Sequence, residues 1–333
     1  MSDRAREEVN QSSVTNQRDD DGSATCDQVD SPAYLFFMMV HSLVFLVGLL
    51  LNGFIVKFYF CRAQQKQASS SIRVYLKNLA AADFLLCLCL PIRIANYASS
   101  SATIHSVNCN FGTASLFFNM YASIMFMGYI AANRYLKVVR PLGTHILQSV
   151  RAAHIISTAT WVFLLAWSSA FAILSFRTQK PFSSILMRCE GYYNGRFTWL
   201  YKITHTCSTV TFLSVLVSLV FFYYSIFRRV SLVRQRQPAS SGSKTLAKSR
   251  RNMLVLLSVF CFCFVPYHLV LLPKAFLWRC SWGRFLHYVM EVTIVMSVLN
   301  VCLDPLIYFI LCKKFRTQLN VKQLFEVKFN GNV

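Results

Sequence analysis

Residues 34–60 read YLFFMMVHSLVFLVGLLLNGFIVKFYF, and Lys57 is the only Lys, Arg, Asp or Glu among them. A run this long and this apolar exceeds what is needed to cross a hydrocarbon core of about 30 Å. Further runs follow at Val74–Tyr97, Cys109–Tyr135, Ala152–Phe176, Trp199–Phe227, Met253–Phe276 and Phe285–Leu311. In lipid each must be a helix, because only helices and closed barrels satisfy their own backbone groups. The expected fold is an all-α membrane protein, a seven-transmembrane helix bundle. The fifth and seventh runs are interrupted by polar residues and carry the weakest signal.

Composition agrees. Of 333 residues 55% are hydrophobic and only 14% charged, against roughly 25% charged in soluble domains. The net charge of +21 could suggest nucleic-acid binding, but its distribution argues otherwise. Eight of the 13 acidic residues lie before Ser31, and the cations cluster between the apolar runs. With the N-terminus outside, 22 of the 34 Lys and Arg fall on the cytoplasmic side, as the positive-inside tendency requires. The acidic N-terminus fits that orientation, and so does the glycosylation sequon at Asn10. No apolar stretch precedes the first run, so that run is expected to act as the signal anchor.

The chain divides into an extracellular tail (1–32), a seven-span domain (33–312) and a cytoplasmic end (313–333). Arg228–Arg251, basic around Pro238 and Gly242, reads as a mobile loop. Lys313–Phe325 alternates cations with Phe315, Leu319 and Leu324 and reads as a short amphipathic helix at the membrane surface.

Ionisable residues inside a span are costly and point to function. Asp83 and Asp304 both lie mid-span. With Asn52, Asn119, Ser123 and Asn300 they form either a hydrogen-bonded polar seam or an all-oxygen site of the kind a sodium ion prefers. Arg93 follows Pro91 inside the second span, where loop solvation does not explain it.

Several of these residues stand in a familiar order. Asn52 lies in the first span and Leu79-Ala-Ala-Ala-Asp83 in the second, and Asn133-Arg134-Tyr135 closes the third. Trp161 follows in the fourth, Phe260-Cys-Phe-Cys-Phe-Val-Pro266 in the sixth and Asp304-Pro305-Leu-Ile-Tyr308 in the seventh. The chain resembles a rhodopsin-like (class A) G-protein-coupled receptor along nearly its whole length. Asn119–Ile124, Arg134–Pro141 and Cys263–His268 narrow the resemblance to the purinergic-like branch of nucleotide and lysophospholipid receptors.

The resemblance implies roles. Arg134 engages a heterotrimeric G protein, of the inhibitory class, when the sixth span swings about Pro266. Tyr224 and Tyr308 steady the open state through water near that arginine. Phe260 and Phe264 are either the packed switch beneath the ligand or ordinary core aromatics. Arg93, Tyr97, Tyr121, Lys202, Tyr267, His268 and Lys274 face the pocket, with Arg93 and Lys274 holding an anionic group. Cys109–Cys189 and Cys26–Cys280 are the disulfides of the pattern.

Departures refine the picture. Asn133 replaces the usual acidic neighbour of the motif arginine, so no local carboxylate restrains Arg134. Nucleotide-binding relatives carry cations where this chain has Leu271 and Met290, the latter beside a matching Glu291. A lysophospholipid, fatty-acid derivative or other amphipathic anion therefore suits the pocket better than a nucleotide. A proton, a peptide or another non-nucleotide ligand is the alternative within the class. A transporter or channel would show repeats or a continuous ionisable path, and neither is visible. An enzyme would need a nucleophile–base pair or a phosphate-binding glycine loop, and none is evident. No cofactor is implied beyond an allosteric sodium ion.

Overall fold

The computed structural model describes residues 31–61, 70–99, 101–139, 146–178, 195–236, 241–276 and 280–311. Seven helices there are long and apolar enough to cross a membrane. They are α1 (Ser31–Cys61), α2 (Ser71–Ala98), α3 (Ala102–Val139), α4 (Val150–Thr178), α5 (Gly195–Arg236), α6 (Ser241–Phe276) and α7. The last is two segments, Cys280–Val298 and Asn300–Leu311, meeting at Leu299. No strand occurs among the described residues. Asn10, Cys26, Cys189 and the expected amphipathic helix at 313–325 lie outside them.

α3 is the centre of the bundle. In its most apolar window 67% of residues are buried, against 17% in α4 and in α5. It packs against α2, α4, α5 and α6, while α1 leans on α2 and on the second half of α7. Phe126, Met127, Ile130 and Ala131 of α3 anchor the main apolar cluster, joined by Leu79 of α2, Leu219 of α5 and Phe260 and Phe264 of α6. α4 and α5 barely touch each other.

Polar bonds pin the helices where packing is thin, since a buried amide or indole needs a partner in lipid. Trp161 Nε1 donates to Asn78 Oδ1 at 2.7 Å and ties α4 to α2. Asn52 Nδ2 donates to the carbonyl of Gly48 on its own helix at 3.0 Å and to that of Val301 on α7 at 2.7 Å. Gly48 lies at the same crossing: a Cβ there would stand 2.7 Å from Val301 Cγ2 and 2.9 Å from Cys87 Sγ. α1 can approach α2 and α7 this closely because position 48 has no side chain.

The basic stretch expected to be a mobile loop is largely helical. α5 continues to Arg236 and α6 begins at Ser241, leaving only 237–240 outside the described residues. Hydropathy marks membrane thickness, not helix length. Lys, Arg, Gln, Leu and Ala are all good helix formers, and the single Gly242 costs only about 1 kcal/mol.

Candidate ligand cavity and signalling switch

Arg93 and Tyr97 lie one turn apart on α2, and Glu291 faces them from α7. Arg93 Nη2 is 2.6 Å from Glu291 Oε2, and Tyr97 Oη donates to the same oxygen at 2.5 Å. The guanidinium also lies 5.5 Å from the centroid of the Tyr97 ring. His41 of α1 packs on that ring and donates from Nδ1 to the carbonyl of Phe37. The Arg93 and Glu291 side chains are only 12% and 13% exposed. A charge pair this dry holds because the partners are matched and the carboxylate accepts a second, phenolic bond. Arg93 is thus paired within the bundle with Glu291, a partner that the sequence did not assign to it.

Deeper in, Tyr121 of α3 meets His268 of α6, Oη to Nε2 at 2.9 Å. His268 Nδ1 donates to the carbonyl of Phe264, so a neutral ring presents Nε2 as acceptor and Tyr121 donates. Phe212 of α5 lies flat on the His268 ring, centroids 3.8 Å apart, and stacks on Phe260 at 5.6 Å. Phe260 in turn meets Phe264 edge-on. Tyr267 is buried and packs on Phe117, which also contacts Tyr121 and His205. Phe117, Phe212 and Glu291 therefore contact the expected ligand residues and His205 packs on Phe117; of the four, only Glu291 stood out in the sequence. Lys202 is half-buried on α5. Lys274 lies in the last turn of α6, and its side chain is outside the described part.

At mid-depth Asp83 and Asp304 are fully buried. Ser123 Oγ donates to Asp83 Oδ1 at 3.3 Å, and Asn300 Nδ2 and Tyr308 Oη reach its carboxylate at 3.5 Å. The Asp304 carboxyl pairs with that of Asp83. The side-chain oxygens of Asn119 and Asn300 are without a donor. Two carboxylates beside two amide oxygens are of the type that would hold a small hard cation such as sodium, and the same pair equally fits the hydrogen-bonded seam that the sequence left open. Among the described residues no group of three or more His, Cys, Asp and Glu could hold a metal, so such an ion would depend on the neutral oxygens.

At the far end of α3 the motif arginine has no acidic partner among the described residues. The described acidic residues are Asp83, Glu291 and Asp304, and none of them reaches it. Arg134 Nη2 donates instead to the carbonyl of Leu311 on α7 at 3.4 Å. Asn133 turns away and donates to Ser71 Oγ at 2.8 Å, joining α3 to the first turn of α2. Tyr135 stacks on Phe222 of α5 at 4.8 Å.

Two expected positions differ. Tyr224 is 60% exposed on the outer face of α5, whereas Tyr223 packs toward the core. The inward face of α5 is set by Phe212, Leu219 and Ile226, and at about 100° per residue this phase turns Tyr223 inward and Tyr224 out. Tyr308 points to Asp83 and not toward Arg134. Pro266 lies inside an unbroken α6. Three residues before it, the Cys263 carbonyl accepts a bond from Ser297 Oγ of α7 at 3.2 Å. Pro305 similarly sits within the last segment of α7. Cys109 is disulfide-bonded; its expected partner Cys189 is not among the described residues, and neither is the side chain of Cys280.

Residues 51–308 match the family model described as 7 transmembrane receptor (rhodopsin family). The chain belongs to that family. It is 32% identical over 298 residues to purinoceptor 14 of Bos taurus, covering 87% of this chain and 86% of that one. It is 29% identical to the platelet-activating factor receptor of Cavia porcellus, over 89% of this chain and 88% of the relative. Purinoceptor 13 of Homo sapiens is also 29% identical, over 90% and 85%. The receptor is a signalling protein and not an enzyme. Its family membership implies an extracellular ligand and a G-protein partner.

Proposed function

We propose that this receptor sits in the plasma membrane with its N-terminus outside and senses an amphipathic anion, of lysophospholipid or related lipid-carboxylate type. The observation that carries the reading is the burial of Leu271 and Met290. These apolar residues stand where nucleotide-binding relatives carry cations, while Arg93 remains as a cation within the second span. A cavity with one charged anchor and an extended apolar wall suits a ligand with one anionic group and a hydrocarbon body. One similar receptor is named for platelet-activating factor and two for purines, so both ligand classes belong in the test.

In this reading the ligand anion competes with Glu291 for Arg93, and Lys202 and Lys274 add positive charge at the cavity mouth. Tyr121, Tyr267 and His268 bind the rest of the ligand. Its arrival shifts the Phe212–His268–Phe260 stack and releases α6 about Pro266. Arg134 then leaves Leu311 for a G protein of the inhibitory class. Sodium held by Asp83, Asn119, Ser123, Asn300 and Asp304 favours the resting bundle. The test is a cell-based G-protein dissociation screen against nucleotides, nucleotide sugars, lysophospholipids and small carboxylates. A response to lysophospholipids alone supports the reading, and a response to a nucleotide at lower concentration overturns it.

A further inference from the structure

A cleft of about 170 Å³ opens on the side of the bundle between α3, α4 and α5, where α4 and α5 barely touch. Phe117, Phe118 and Met125 of α3 floor it, and its lining is overwhelmingly apolar. Its mouth is formed by Phe163 and Trp167 of α4 and Cys207 of α5, all exposed within membrane-spanning segments. At that depth the material outside the mouth is lipid.

One polar group inside the cleft lacks a partner. Along α5 the hydroxyls of Thr206, Thr209, Thr211, Ser214 and Ser218 each donate to the carbonyl four residues back. Thr204 breaks the series. It lines the cleft, is 7% exposed, and its hydroxyl has no hydrogen-bond partner. A buried hydroxyl left so in an apolar wall calls for an acceptor. Thr204 lies five residues into the span that begins at Trp199. That is about 8 Å along the helix, close to the depth of the interfacial layer bordering the hydrocarbon.

We propose that this cleft binds one acyl chain of a bilayer glycerophospholipid, entering sideways between α4 and α5, with its ester carbonyl accepting the Thr204 hydroxyl. The proposal concerns a bilayer lipid and stands whichever anion acts as ligand, and the cleft shares Phe117, Tyr121 and His205 with the surroundings of the expected ligand residues. Tyr121 lines the cleft with its ring while its hydroxyl holds His268, so a bound chain braces the residue that the ligand is proposed to touch.

The experiment uses the full chain in phosphatidylcholine nanodiscs doped with a phosphatidylcholine carrying a diazirine in one acyl chain. That lipid is supplied with either an ester or an ether linkage. After illumination, adducts are mapped by mass spectrometry. Adducts at Phe163, Trp167 and Thr211 should clearly exceed those at Val217 and Phe221, which face lipid lower on α5. Filling the cleft by Ser168→Phe should remove the excess. The ester lipid should label about fivefold more than the ether lipid, the worth of one hydrogen bond, and Thr204→Val should abolish that preference at unchanged surface expression. Equal labelling of cleft and annular residues overturns the proposal. So does an ester preference that survives Thr204→Val in a folded receptor. Receptor–receptor cross-links through α4 and α5 in place of lipid adducts would assign the cleft to a second copy of the chain.

Discussion

Two arginines lie near opposite ends of the same bundle, and they are held in opposite ways. Arg93 is locked to a carboxylate and shares it with a phenol, in a setting almost closed to solvent. Among the described residues Arg134 has only the Leu311 carbonyl, at 3.4 Å. The first arrangement is costly to break on one side, because the partner left behind is a buried charge. The second is inexpensive to leave, because a single long bond to a neutral carbonyl leaves no partner charge behind. The contrast matches the proposed division of labour: the Arg93 end opens only for an anion that replaces Glu291, and the Arg134 end is poised to let go.

The strongest way to break the comparison is to remove one half of the tight pair. Glu291→Ala should cost about 3–5 kcal/mol by stranding Arg93, seen as lost surface expression and a lower melting temperature in detergent. Combining it with Arg93→Met should recover most of that loss. If single and double variants melt alike, the pair is not what holds α2 to α7. Arg93→Ala, assayed at matched expression, should weaken agonist potency tenfold or more, since a charge-assisted bond contributes roughly 1.5–3 kcal/mol. Unchanged potency would place the anion elsewhere.

The mid-depth carboxylates sharpen the comparison from a third direction. Sodium should reduce agonist affinity several-fold, and Asp83→Asn should erase that dependence; typical coupling free energies are about 1–3 kcal/mol. Persistence of the sodium effect in Asp83→Asn would make the seam purely structural. The smallest effect is expected at the loose end. Asn133→Asp places a carboxylate beside Arg134 and should lower ligand-free signalling roughly fivefold, equivalent to about 1 kcal/mol. Equal or higher basal activity in that variant would show that the Leu311 carbonyl, or another contact, already restrains Arg134.

Most of the fold was legible in the chain because lipid leaves an apolar run of such length one choice of structure. The seven runs and the seven helices coincide in their cores. Their ends were harder to read. α5 and α6 run on through Arg228–Arg236 and Ser241–Arg251, where no hydrophobic signal reports a helix. The site was legible in its motif residues and opaque in their pairings. Arg93 stood out as a charge in a span, but its partner lies 198 residues away, and periodicity says nothing about such a contact. Tyr224 shows a different limit: neighbouring tyrosines differ by about 100° in helix phase, and only packing decides which one faces inward.

The bond from Asn52 to the Val301 carbonyl also bears on how the protein is made. Its two ends are separated by 249 residues, so the first span to enter the membrane carries an amide whose partner is synthesised almost last. During that interval the amide faces hydrocarbon, and its bond to the Gly48 carbonyl on the same helix serves as a placeholder. The notch at Gly48 waits in the same way for Val301 to fill it. The seat formed by Gly48 and Asn52 is therefore complete only once Val301 is in place. A chain stalled or truncated before Val301 would present an unfinished seat to the quality-control machinery of the membrane.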